Sequence, residues 1–161
     1  MTSFRIFEII LYSCLNLLPY LGLALYPFAD KLRFSKVKVG LFIFLLLFFQ
    51  TSLGIYATTC SQGQKGMLSL ISTLCYGIFY FFVVKETPGK LIFVLLIVSN
   101  FANFIVICAK WMEAQIFPKM VFDNNSWSFS LCTFVAQIIF IPMLFIYFRK
   151  HIKEIATIET G

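Results

Sequence analysis

The sequence has 161 residues, of which 60% are hydrophobic and 12% are charged, and its net charge is +6. Soluble domains are about 45–50% apolar and about 25% charged, so this composition excludes an ordinary soluble enzyme or binding domain. The cations are dispersed through short polar segments, which argues against a nucleic-acid-binding surface and for a charge bias between the faces of a membrane.

Five continuous apolar stretches are each long enough to cross a bilayer, which takes about 20 residues in a helix. Their residues do not alternate between apolar and polar as those of membrane β-strands do. The sequence therefore predicts an all-α fold, with residues 1–150 forming a transmembrane helix bundle of about five spans. The predicted spans are Phe4–Tyr26, Val37–Tyr56, Met67–Val84, Leu91–Phe117 and Trp127–Phe148.

A basic turn separates the first two spans and indicates how they are oriented. The apolar pattern stops at Pro27, whose ring cannot continue the helix, and a run of cations follows in residues 31–38. Cationic loops mark the cytoplasmic side. We therefore expect a multi-pass protein of a bacterial cell membrane, with its amino terminus outside and residues 151–161 as a cytoplasmic juxtamembrane tail. The inner cations are Lys31, Arg33, Lys36, Lys38, Lys85, Lys90, Arg149, Lys150 and Lys153, and the outer ones are Arg5, Lys65, Lys110 and Lys119.

Cysteine and histidine offer no catalytic or metal-binding set in this sequence. The 5 cysteines show no CxxC spacing, and only Cys60 falls in a predicted loop. His151 is the single histidine and follows the last span, on the side away from the cysteines. We therefore expect no disulfide framework, no metal, no cofactor and no catalysis by this chain.

Two spans carry polar side chains at helical spacing. Those of the first span recur every four positions and are Glu8, Tyr12, Asn16 and Tyr20. Those of the fourth span, which continue one turn further, are Asn100, Asn103, Lys110 and Glu113. Because polar groups are costly in hydrocarbon, we expect both stripes to face the bundle interior or a wet cavity.

The outer halves of these stripes are the candidate site. With the amino terminus outside, Glu8 and Lys110 either approach each other or flank one outward-opening cavity, with their Cβ atoms within about two helix diameters. The candidate ligand-binding or gating residues are Glu8, Tyr12, Asn16, Asn100, Asn103, Lys110 and Glu113. The alternative is that the amides, including Gln50 and Gln137, bond helices together and that Lys110 snorkels to the interface.

Two loops are expected to line this site, Thr58–Gly66 and Pro118–Ser126. The second contains Asn124-Asn125-Ser126, which matches a glycosylation sequon, although Ser126 is equally suited to cap the fifth span.

Four segments resemble the amino-terminal membrane sensor of GHKL histidine kinases, relatives of the accessory-gene-regulator quorum-sensing kinases. They are NLLPYLGLALYPFADKLRFSK, SNFANFIVICAKWMEA, SWSFSL and FRKHIKE. The resemblance implies a bundle that detects an extracellular signal, often a peptide, and relays it within a two-component system. This sequence contains neither ATP-binding motifs nor an acceptor-histidine motif, so we expect a sensor fragment or a stand-alone sensor-like protein that does not transfer phosphate.

The function we expect is therefore sensory. The bundle would self-associate in lipid, bind an extracellular peptide or small molecule, and pass the signal through Phe148–Lys153 to a cytoplasmic partner or domain. A small transporter, or the substrate-binding membrane subunit of one, is the alternative; discontinuous helices at the midplane or a closed internal cavity would favour it. A purely structural subunit would instead show packed asparagine pairs and no cavity.

Overall fold

Five α-helices make up most of the computed structural model, which describes residues 3–120 and 126–152. They are α1 (Ser3–Leu25), α2 (Lys36–Ala57), α3 (Gln62–Val83), α4 (Pro88–Ile116) and α5 (Trp127–Tyr147). All five are long and apolar enough to cross a membrane. The predicted all-α fold with five spans is confirmed.

Some predicted features fall on residues outside those ranges. Residues 121–125 include the two asparagines of the sequon and part of the last outer loop, and residues 153–161 include most of the predicted tail. The side chain of His151 is also outside the described part of the chain.

The largest difference from the predicted boundaries is at α3, which begins at Gln62 and not at Met67. The backbone N–H of Ser61 donates to the side chain of Gln64 at 2.9 Å, as in the capping arrangement that starts many helices. Most of the predicted loop at residues 58–66 is therefore helical. Hydropathy locates only the apolar part of a span, whereas a well-capped helix extends through polar residues as well.

Helices α1, α4 and α5 pack around the main hydrophobic core, whose buried residues include Ala24, Val98 and Ala136. Helix α2 packs against α1, and α3 packs against α2. Gln50 of α2 donates a hydrogen bond to Ser72 of α3 at 2.8 Å, in the bonding role considered for this amide. The outer faces of α2 and α3 are mostly exposed, so this helix pair presents a broad apolar surface to lipid.

A hydrogen bond between α5 and α1 compensates for a proline inside α1. Pro19 has no backbone N–H, so the carbonyl of Leu15 loses its donor within the helix. Nε2 of Gln137 donates to that carbonyl at 2.7 Å and to Oη of Tyr20 at 3.3 Å. A side chain of the neighbouring helix thus satisfies the backbone and allows α1 to continue to Leu25.

Three turns lie together at the end of the bundle opposite the start of α5. They are residues 26–35, residues 84–87 and the π-helical turn Phe148–Ile152, and we refer to them as the basic face. Leu32 and Val84 form an antiparallel bridge, flanked by two backbone hydrogen bonds of 2.8 Å. Glu86 pairs with Lys31 and lies 3.8 Å from the ammonium of Lys90. The link between α1 and α2 is therefore tied to the link between α3 and α4.

We expect Gln137→Leu to lower the free energy of unfolding by about 1–2 kcal/mol, because the Leu15 carbonyl is left in apolar surroundings without a donor. Pro19→Ala restores a backbone N–H to α1 and should reduce the cost of the Gln137 substitution. Unfolding of the purified protein in mixed micelles by added SDS measures both effects. An equal cost in the two backgrounds would contradict the proposed compensation.

The pair on the basic face should make stability depend on pH. The hydrogen bond from Lys31, and then that from the Thr87 backbone N–H, lower the pKa of Glu86 below its ordinary 4.5. Its ionised form therefore contributes stability that is fully present above that value and is lost as the pH falls through the lowered folded-state pKa. The difference in unfolding free energy between wild type and Glu86→Gln should be largest near neutral pH and vanish in acid. A difference that does not change with pH would refute this origin.

Candidate functional site

Helix α5 starts at a serine that caps its own first turn. Oγ of Ser126 accepts a hydrogen bond from the backbone N–H of Phe129 at 3.3 Å, which confirms the predicted cap. The first N–H groups of a helix have no acceptor within it, and they form the positive end of its dipole. The start of α5 is therefore a place where carboxylates are stabilised.

Glu8 of α1 supplies the first such carboxylate. Its Oε1 accepts a hydrogen bond from the backbone N–H of Trp127 at 2.8 Å, and its Oε2 lies 2.9 Å from the guanidinium of Arg5. Glu8 is only 5% exposed. The glutamate thus links α1 to the first residue of α5.

Glu113 of α4 supplies the second carboxylate and is fully buried. Its Oε2 accepts from the ammonium of Lys110 at 2.8 Å, and its Oε1 accepts from the hydroxyls of Ser126 at 2.7 Å and Ser128 at 2.5 Å. Three donors therefore hold this carboxylate against the start of α5, and they link α4 to the same turn that Glu8 contacts.

The ring of Phe129 completes the contacts at this turn. The ammonium of Lys110 lies over the ring, 4.3 Å from its centroid, within the range of a cation–π interaction. The ring of Tyr12 packs on Phe129 with centroids 5.6 Å apart. Glu8 and Lys110 thus meet α5 two residues apart, which is the first of the two arrangements expected for them. We call Glu8, Lys110, Glu113, Ser126 and Ser128 the cap cluster.

The remainder of the α1 stripe runs along the bundle away from the cap cluster. Asn16 is half-buried, and Tyr20 is buried with its hydroxyl accepting from Gln137. The spacing of four residues therefore marked the inward side of α1. Of this stripe, only Glu8 and Tyr12 contact the first turns of α5 in the described interactions.

Asn100 and Asn103 do not face the interior, which corrects the prediction for α4. Both are exposed on the outer surface of the bundle. The inward side of α4 is instead formed by Val98, Ile105 and Ala109. Helical spacing shows that the two asparagines share a side of the helix with Lys110, but aliphatic packing decides which side is buried.

Ser128 is not among the candidate residues predicted from the sequence, although it forms the shortest hydrogen bond to Glu113. The available signal was the Ser-x-Ser pattern at the start of α5. Serine at a helix start ordinarily bonds its own backbone, so the pattern alone does not reveal a carboxylate from another helix.

Two open apolar grooves lie away from the cap cluster. One, of about 300 Å³, is beside the basic face and includes Gly22 and Gly40. The other, of about 360 Å³, lies between the two helix prolines, Pro19 and Pro142.

All five helices are continuous through their midpoints in the described ranges, so none has the midplane break that would favour a transporter. The 5 cysteines are free thiols, and residues 3–120 and 126–152 contain no group of three metal-binding side chains.

No family model, no curated protein and no solved structure matches this chain.

We expect Glu113→Gln to lower the free energy of unfolding by about 2 kcal/mol, because Lys110 loses its carboxylate in a partly buried site. Adding Lys110→Met should recover part of this loss, since the variant then lacks both charges. SDS-induced unfolding of the single and double variants measures the coupling. Glu86→Gln is the control and should cost less, because its partner Lys31 is exposed to water. Additive effects at Glu113 and Lys110 would contradict the pairing.

Proposed function

We propose that this protein is a membrane-embedded signal-binding module, oriented with the cap cluster toward the outside of a bacterial cell and the basic face toward the cytoplasm. The resemblance to the membrane sensors of GHKL kinases supports this proposal, as does the excess of cations at the basic face. The signal is a peptide or small molecule, and the output passes to a cytoplasmic signalling partner or domain.

The observation that carries the proposal is the way α5 is held at both ends. At its start, carboxylates from α1 and α4 converge on one turn through Glu8 and Glu113. A ligand that changes the position of either carboxylate changes the support of α5 directly. Glu8, Lys110 and Glu113 lie within candidate membrane spans, and ionisable groups in such helices are expensive and commonly functional.

The far end of α5 packs into the basic face, where a shift of the helix can be transmitted. Phe148 is fully buried in the same core cluster as Phe28 of the turn after α1. The ring of Phe145 packs on that of Tyr26, with centroids 4.7 Å apart. Movement of α5 would therefore disturb the turn that carries Lys31 and Arg33.

The exposed parts of the site indicate the charge of the ligand. The side chains of Arg5 and Lys110 are 31% and 36% exposed, whereas that of Glu113 is fully buried. A ligand thus reaches cations before it reaches carboxylates. We propose that it presents an anionic group, such as the terminal carboxylate of a peptide.

Intrinsic fluorescence tests this proposal, because the chain has 2 tryptophans and one of them, Trp127, contacts Glu8. In a Trp111→Phe variant reconstituted in nanodiscs, short synthetic peptides with free carboxyl termini should shift the emission of Trp127. The same peptides with amidated ends should bind at least about tenfold more weakly, because they lack the charge-assisted hydrogen bond. Hydrogen exchange in residues 26–35 should change with the emission.

Lys110→Met should weaken the peptide response at least about tenfold. The control Lys65→Met should leave it unchanged, because Lys65 lies in α3, which supplies no residue of the cap cluster. Accumulation of peptide inside proteoliposomes would instead favour the transporter alternative. Emission that responds equally to free and amidated peptides, or binding without any change in the basic face, would contradict the signalling proposal.

A further inference from the structure

Helix α4 exposes two amide side chains where a lipid-facing helix is normally apolar. Asn100 and Asn103 lie near the midpoint of its 29 residues, and both are on the outer surface. The helix is about 43 Å long at 1.5 Å per residue, and the hydrocarbon core is about 30 Å thick. Both amides therefore lie close to the middle of the bilayer, too deep for their short side chains to reach water.

The asparagines belong to a continuous stripe with the spacing of a helix-packing seam. Phe93, Leu96, Asn100, Asn103 and Ile107 are separated by alternate steps of three and four, the repeat that keeps one side of a helix against a partner. All five are exposed, with Leu96 at 57% and Ile107 at 67%. We call these residues the α4 seam.

We propose that the α4 seam packs against the α4 seam of a second copy of this chain, with the amides of Asn100 and Asn103 hydrogen-bonded across the interface. Lipid tails offer these amides no donor or acceptor, whereas a neighbouring helix does. An amide carries both a donor and an acceptor, so the same side chain on a second copy can satisfy it.

The geometry of a membrane favours a second copy as the partner. Two chains inserted in the same direction are related by a two-fold axis along the membrane normal, and each residue then meets its counterpart at the same depth. The midpoint position of the two asparagines places all four amides at one level of such an interface. This proposal does not depend on the signal-binding proposal, because Asn100 and Asn103 make no described contact with the cap cluster. Lys110 follows the seam on the same side of α4, but it lies about two turns beyond Asn103 and contacts Glu113 and Phe129.

Photo-crosslinking in native membranes tests the position of the interface. Benzoylphenylalanine in place of Ile107 should yield covalent dimers of this chain. The control is the same group in place of Ile78 of α3, which is equally exposed at 68% but lies outside the α4 seam. Dimers of equal yield from both positions, or adducts at position 107 only with lipid or with other proteins, would overturn the proposal.

Substitution of the amides tests their contribution. The double variant Asn100→Leu with Asn103→Leu should weaken dimerisation by about tenfold to a hundredfold, measured by subunit counting through single-molecule photobleaching over a range of protein-to-lipid ratios. Thr73→Leu is the control, because Thr73 is exposed in α3 and bonds only its own helix in the described contacts. It should dimerise like the wild type.

Circular dichroism and the fluorescence of Trp127 would show whether the double variant retains its fold. A folded double variant that dimerises as strongly as the wild type would refute the proposal. A wild-type protein that remains monomeric at all protein-to-lipid ratios would refute it as well.

Discussion

A buried hydrogen-bonding group needs a partner within the protein because water cannot reach it, and this constraint governs the structure at the start of α5. The free N–H groups of its first turn need acceptors. Ser126, the cap of α5, provides one, and Glu8 of α1 provides another. Glu113 then accepts from the hydroxyl of Ser126 itself. Each of the two carboxylates is paired in turn with a cation one turn away in its own helix, Glu8 with Arg5 and Glu113 with Lys110. The packing of α1, α4 and α5 is thus fixed in part by the requirements of a helix end.

The same constraint explains how a proline is accommodated in the core. Pro19 leaves the carbonyl of Leu15 without a donor in α1. Gln137 of α5, the helix that Glu8 caps, donates to this carbonyl. Helices α1 and α5 therefore satisfy each other twice. The carboxylate of α1 serves the backbone of α5 near one end, and the amide of α5 serves the backbone of α1 further along. Two such reciprocal bonds define the register of this pair more firmly than apolar packing alone, which tolerates sliding in lipid.

The five spans and the inward side of α1 could be predicted because they depend on local properties, hydropathy and spacing. The orientation of α4 could not. Spacing places Asn100, Asn103 and Lys110 on one side of the helix, but the choice of buried side depends on how Val98, Ile105 and Ala109 fit the neighbouring helices. The partnership of Glu8 with the backbone of Trp127 joins residues more than a hundred positions apart. Residue pairs of this kind become neighbours only through the tertiary arrangement.

The prediction for α4 was wrong about its buried side, but an unpaired polar group in hydrocarbon is costly on either side of the helix. A polar group at the bilayer centre needs a partner, and the prediction assumed that this partner lies within the same chain. Glu113, on the inward side, finds its partners there. Asn100 and Asn103 point to the opposite side, toward the surroundings of the bundle. The need for a hydrogen-bond partner is then met by assembly and not by the fold. A seam with two amides at one depth is best satisfied by an identical seam. Association thus answers the same constraint that organises the interior of the chain.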